Sequence, residues 1–299
     1  MSMSPGTGPP AGARRLEVTG GVGLHCLEWG GAAGAGPVSP VPFLLVHGLA
    51  SNCRTWEAVG SFLAARGHPV AAVDQRGHGL SDTPDEGYDF ATLCDDLGAV
   101  LEALEYDRAV VVGQSTGGNI VVELARRAGH RLAGVAGIDG GTLELQDRWP
   151  DWDDCAAALA PPRLAGTRVE AMRAMLRRSH PDWDDWGIEA TLANLEVRDD
   201  GTVAAHLSFD HHLRILRALW EHRPSLVFPD LDVPVLLITA DSGDAWSSDK
   251  RAATDRATKL LRRGRSHWIS PADHDIHVQK PELVANLLLE AVDDGFFAP

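Results

Sequence analysis

The sequence predicts an α/β protein: a mostly parallel central sheet flanked by helices, with an inserted helical segment. Three observations predict it. Short β-branched runs alternate with helical patterns over residues 16–141. That rhythm breaks over residues 142–231, which carry helical periodicity without strong strands. It resumes at residue 232 and continues to the end. Near-continuous apolar strands between helices mark a sheet covered on both faces. A chain of 299 residues suffices for one large core with an insertion.

The elements follow in order. Residues 1–15 are rich in Pro, Gly and Ser and are expected to form a disordered tail. VTGGVGLHCLEW reads as a hairpin, and the Gly/Ala/Pro stretch after it as a turn-rich connection. VPFLLVHG is a buried strand ending in His47-Gly48. TWEAVGSFLAARG has apolar residues at helical spacing and a Gly stop. HPVAAVDQRGHGLSD is a strand with a polar loop after it. In the next helix Leu93, Leu97, Val100, Leu101 and Leu104 share one face. RAVVVGQSTGGNIVVELARRAG reads strand, tight turn, helix, and LAGVAGIDGG is a strand ending at Asp139. Five of the nine Trp fall in residues 142–231, read as a helical cap between the core segments 16–141 and 232–299. PDWDD occurs there twice, as acidic helix starts. VPVLLITAD, a helix, SHWI and PELVANLLLEAVDDGF complete the chain.

Composition narrows the function. The formal charge is −15, which argues against nucleic acid, because neutralising phosphates needs clustered Lys and Arg. It disfavours an anionic membrane surface equally. No apolar run approaches the about 18 residues of a membrane span, and the N-terminus lacks a secretory apolar core. Four cysteines without CxxC spacing are expected as free thiols in a reducing cytoplasm. Oligomeric state leaves no mark, since no long heptad or isolated apolar stripe occurs.

The chemistry concentrates at Gly113-Gln114-Ser115-Thr116-Gly117, between a strand and a helix. There a serine sits on a sharp bend, and small residues two before and two after relieve crowding. Its hydroxyl projects at the helix N-terminus, where backbone N–H groups favour developing negative charge.

With these residues the chain resembles the α/β-hydrolase superfamily over residues 16–295. His47-Gly48 matches its oxyanion loop, and Asp74-Gln75-Arg76-Gly77-His78-Gly79-Leu80-Ser81-Asp82 its D-x-R-G-x-G-x-S loop. Gly113 to Gly117 match its nucleophile elbow, and His274 ahead of Pro281-Glu282 its C-terminal histidine. The resemblance implies Ser115 as nucleophile, His274 as base, and the N–H groups of Leu49 and Thr116 as oxyanion hole. Among the tail histidines, His267 falls in a strand and His277 at a helical turn, whereas His274 lies in a loop. The spacing of His274 and His277 alone does not make a metal site, and no metal or cofactor is implied.

The acid departs from the superfamily's commonest pattern. Its usual place falls near Gly243, flanked by Asp241 and Asp244. Some members carry it one strand earlier, which here is Asp139, followed by two glycines. All three satisfy the order Ser…Asp…His; Asp139 is favoured, then Asp244, then Asp241. Arg76 and Asp82 are expected to brace their loop. Asn52 and Cys53 are candidate pocket residues beside the oxyanion loop, and at least one cap tryptophan is expected to face the pocket.

The expected function is a serine hydrolase of a small, largely apolar ester, lactone or amide, with a small-molecule substrate and no cofactor. A serine at the elbow disfavours haloalkane dehalogenases and epoxide hydrolases, which use Asp there. The alternatives are carbon–carbon bond hydrolysis or other carbonyl chemistry by the same triad, and a non-enzymatic small-molecule receptor on this scaffold.

Overall fold

The computed structural model describes residues 12–30 and 40–297. The chain opens on β1 (Gly12–Val18) and β2 (Val22–Trp29), then β3 (Phe43–Val46), α1 (Glu57–Ala65), β4 (Val70–Val73) and α2 (Phe90–Ala103). β5 (Ala109–Gln114), α3 (Thr116–Ala128) and β6 (Leu132–Ile138) follow. The insertion holds α4 (Trp152–Leu159), α5 (Val169–Ser179), α6 (Asp185–Leu192), β7 (Leu195–Val197), β8 (Val203–Ala205), α7 (Phe209–Glu221) and α8 (Pro224–Val227). The last part is β9 (Val235–Ala240), α9 (Ala245–Leu260), β10 (Gly264–Ile269), α10 (Ile276–Gln279) and α11 (Pro281–Asp293).

Eight strands form one sheet in the order β1-β2-β4-β3-β5-β6-β9-β10. β2 pairs antiparallel with both β1 and β4, and every later pair is parallel. Alternation within each strand divides the core. Leu44, Val46, Val111, Val135 and Leu237 face one layer, with Leu93 and Leu97 of α2 and Ile120 and Leu124 of α3. Phe43, Leu45, Val110, Val112, Ile138 and Ile238 face the other, with Leu63 of α1 and Val284 and Leu288 of α11. Side chains two residues apart share a face, so a strand apolar at every position buries both.

Two expectations meet a different outcome. Residues 12–15, assigned by composition to a disordered tail, are the first half of β1, where Gly12 pairs with Glu28 and Arg15 with His25; backbone pairing supplies there what the polar side chains do not. Residues 1–11 of that tail, and 31–39 of the turn-rich connection, lie outside the described residues. The insertion also contains the antiparallel ribbon β7–β8, turning through Gly201 at φ +77°. The insertion is no separate globule: Leu145, Leu207, Ile215, Leu219 and Phe228 join the same core layer as α2 and α3.

The acidic helix starts differ from one another. Asp151 caps α4, accepting the N–H of Asp153 at 2.8 Å, while Asp184 precedes α6 without a side-chain cap bond. The four cysteines are free and buried. No helix of the described residues is long and apolar enough to cross a membrane.

Loops at the carboxyl ends of the strands are braced by buried polar groups. Arg76 grips Asp96 of α2 with two bonds of 2.7 Å, both side chains nearly fully buried. Burial raises the Asp96 carboxyl even so, against the pull of Arg76. Asp82 accepts the N–H of Gly23 at 2.7 Å, as its bracing role requires. Arg76→Met strands a buried carboxylate and is expected to cost about 3–5 kcal/mol. Adding Asp96→Leu is expected to restore most of that loss, as read by urea denaturation of the two variants.

Candidate active site

Ser115 caps α3 at φ 53° and ψ −122°, outside the conformations ordinary residues adopt. The fold holds it there by close packing that only glycine permits. A Cβ on Gly113 would lie 2.1 Å from the carbonyl oxygen of Gly117, and one on Gly117 2.5 Å from that of His47. The Ser115 N–H donates to the Ile138 carbonyl at 3.0 Å, fastening the bend to β6.

The segment after β3 lies directly on this turn, since a Cβ on Gly48 would meet Ser115 Cβ at 3.0 Å. Two neutral histidines shape it. His47 Nε2 accepts the Gln75 N–H at 3.1 Å, so its Nδ1–H donates to the Gly48 carbonyl at 2.7 Å. His78 Nε2 accepts the Ala50 N–H at 3.2 Å, and its Nδ1 faces the Arg76 carbonyl at 3.0 Å. Burial lowers both imidazoles, His78 to about 3. Ala50 takes φ 56°. Thr116 opens α3, so its N–H has no helical carbonyl to bind. Leu49 and Thr116 both line the cavity above Ser115.

Asp139 stands at the end of β6 with φ 43°. Its carboxylate is fully buried and accepts from three directions. His274 Nδ1 lies 2.6 Å from Oδ2, and the Ala240 N–H reaches Oδ1 at 3.0 Å. Lys250 of α9 completes the set, with Nζ 3.2 Å from Oδ1, 3.0 Å from Oδ2 and 2.6 Å from the Ala240 carbonyl. Those contacts engage all three ammonium hydrogens. The loop beyond Asp139 is pinned by Asn119, whose Oδ1 accepts the N–H of Gly141 and Leu143 and whose Nδ2 donates to the Leu143 carbonyl.

His274 sits in the loop between β10 and α10, its side chain 53% accessible and lining the cavity above Ser115. Burial alone would lower its imidazole. The hydrogen bond that His274 donates to Asp139 and the charges of Asp275 and Asp139 outweigh that, Lys250 opposes them, and the net direction is upward. His267 lies within β10 and His277 within α10. His277 is fully buried, its ring centroid 4.4 Å from that of Trp56.

The structure therefore brings together Ser115, His274, Asp139, Leu49 and Thr116, with Trp246, around one cavity of about 410 Å³. The other candidate acids have other contacts. Asp244 lines that cavity but caps α9, accepting the Trp246 N–H at 2.8 Å. Asp241 accepts from Gly243 N–H at 3.1 Å and Trp268 Nε1 at 3.2 Å. The cap tryptophans are not among the residues lining the two cavities at Ser115; the tryptophan there, Trp246, belongs to α9.

Asn52 and Cys53 do not occupy the place expected of them, and neither lines either cavity. Asn52 Oδ1 accepts the Arg54 N–H, and its Nδ2 donates to the Ala190 carbonyl and to Asn194 Oδ1. Cys53 is buried beside His25 and Asp74, burial raising its thiol well above the usual range. Both Asp74 oxygens are committed to N–H groups, Oδ1 to Cys53 and Oδ2 to Leu80 and His25. The sequence showed proximity to the oxyanion loop but not which way these side chains turn. It also missed Lys250 and Asp275, because nothing in their local pattern reports a contact across more than a hundred residues.

A profile of the α/β hydrolase fold matches residues 41–281, so the chain belongs to the α/β hydrolase family. Within it, the chain is 28% identical over 288 residues to 2-(acetamidomethylene)succinate hydrolase of Mesorhizobium japonicum, covering 94% of this chain and 95% of that one. It is 27% identical over 260 residues to the esterase YbfF of Escherichia coli, covering 85% and 93%. The crystal structure of E-2-(acetamidomethylene)succinate hydrolase superposes with a TM-score of 0.76 at 23% identity, over 95% of this chain and 99% of that chain.

The charge arrangement around His274 has a measurable sign. By NMR titration the imidazole is expected to lose its proton above the ordinary value of about 6.5. Lys250→Met removes the opposing cation and moves that midpoint higher; an unchanged or lower midpoint contradicts the assignment.

Proposed function

We propose that the protein is a serine hydrolase that cleaves a small, largely apolar ester, lactone or amide through an acyl-serine intermediate. The observation that carries this reading is the strained Ser115 turn sharing one cavity with the His274–Asp139 pair. The full-length relatives, a succinate-derivative hydrolase and an esterase, support it.

The residues divide the reaction as follows. The Nδ1–H of His274 donates to Asp139, which leaves Nε2 as the free lone pair. Ser115 Oγ attacks the carbonyl carbon while its proton passes to that Nε2. Negative charge gathers on the carbonyl oxygen and is met by the N–H groups of Leu49 and Thr116; one such donor is worth about 3–4 kcal/mol of barrier. Collapse expels the alcohol or amine, which takes the proton from His274. A water molecule then hydrolyses the acyl-serine by the same steps reversed. Asp139 fixes the tautomer and supports the imidazolium throughout.

Residues 142–231 act in this reading as a cap. Leu143, Leu145, Leu159, Leu216 and Leu219 give the cavity its apolar wall, which suits a largely apolar substrate and excludes water from the site.

Ser115→Ala is expected to abolish hydrolysis of a short p-nitrophenyl ester and covalent labelling by a fluorophosphonate, with the circular dichroism spectrum unchanged. Asp139→Asn is expected to lose on the order of 10⁴ in turnover, and Asp241→Asn less than about tenfold. Activity retained by the Ser115 variant refutes the reading.

A further inference from the structure

Two chambers of opposite character meet at Ser115. The larger, of about 410 Å³, has the leucine wall described above. The smaller, of about 140 Å³, shares Leu49, Ser115 and His274 with it. Its remaining wall is mainly polar: Ser51, Thr55, Gln114, Thr191, Asn194 and Asp275. At about 30 Å³ per water, it has room for four or five waters or for one short substrate arm.

The charges on these walls are one-sided. Asp139, Asp244 and Asp275 line the two chambers, and Lys250 faces them with every ammonium hydrogen engaged. Asp139 has its ion pair and Asp244 its helix cap. Asp275 has neither. Its Oδ1 accepts one bond of 3.2 Å, from Gln114 Nε2, and among the described residues no ion pair of Asp275 occurs. Burial raises its carboxyl above the ordinary range, with His274 and His180 pulling the other way. A half-buried carboxyl with a single neutral donor keeps acceptor capacity for a group in this chamber.

Resting on the serine-hydrolase reading, we propose that the small chamber is a subsite for a short substrate arm ending in a hydrogen-bond donor, a hydroxyl or an ammonium, received by Asp275. The same walls disfavour an arm that ends in a carboxylate, because Lys250 and the Nδ1–H of His274 are both committed to Asp139 and a carboxylate already stands there. The substrate class is thus a neutral or cationic ester with one apolar arm and one short donor-bearing arm. It differs in charge from the succinate derivative in the name of the Mesorhizobium relative.

The test is a set of hexanoate esters whose alcohol arm is propan-1-ol, ethane-1,2-diol, 2-(dimethylamino)ethanol or glycolate. A mirrored set uses hexyl esters of butanoate, glycolate, N,N-dimethylglycine and the malonate half-ester, so either orientation in the site is read. kcat/KM is measured at neutral pH for the unaltered protein, Asp275→Asn and Asp275→Leu, with thermal melts to establish folding. In one of the two sets, the hydroxyl and dimethylammonium arms are expected to exceed the plain alkyl arm by about tenfold or more. The carboxylate arm is expected to fall below the alkyl arm by a similar factor. Asp275→Asn keeps the shape and is expected to collapse the ammonium-to-alkyl ratio and raise the carboxylate-to-alkyl ratio. Ratios that stay the same in Asp275→Asn across both sets, with Ser115 still labelled by a fluorophosphonate, overturn the subsite and leave the hydrolase reading standing. Absence of both labelling and turnover overturns the hydrolase reading and the subsite with it.

Discussion

The Asp139 carboxylate ties the active end of the molecule together. It leaves β6 in a left-handed conformation, accepts a backbone N–H from the end of β9, is gripped by a lysine from α9, and holds the imidazole from the loop after β10. A fully buried carboxylate is tolerable only with such a partner set. The same bonds that stabilise it also fix four chain segments relative to one another, β6 lying more than a hundred residues from the other three in sequence. The Ser115 bend depends on this knot as well, because its N–H is anchored to the carbonyl of Ile138, the residue before Asp139.

Around that knot the cavity is built by division of labour. The sheet supplies rigid strand ends, the segment after β3 is held by the neutral imidazoles of His47 and His78, and the insertion supplies apolar walls. Electrostatically the site is finely balanced. Two carboxylates favour the charged form of His274, and one ammonium and burial oppose it. Their sum rather than any one of them sets how readily the imidazole takes a proton.

Much of this was legible in the residues. The alternation of apolar strands and helices gave the sheet, and β5 and β6 begin and end close to where their apolar runs do. The glycines flanking Ser115 announced a bend that tolerates no side chain, and the structure packs backbone carbonyls where those side chains would be. Asp139 could be favoured because two glycines follow it, but its bond to His274 spans 135 positions and became visible only in three dimensions. Where the reading failed, long-range contact was the cause. β1 begins inside a stretch whose composition suggested a tail, because pairing with β2 decides its conformation. Asn52 stands beside the oxyanion loop yet turns away from the cavity, because its partners lie about 140 residues further along.

That turn of Asn52 has a mechanical consequence. Its amide joins the end of the segment after β3 to the Ala190 carbonyl and to Asn194, at and just beyond the end of α6 in the insertion, and on the other side of the same segment His78 holds Ala50. The roof over Ser115 and the turn beneath it are thus riveted to each other. Any excursion that lifts this part of the roof must either break those amide bonds or drag the turn after β3 along, so opening of the cavity and the shape of its floor are geared to one another.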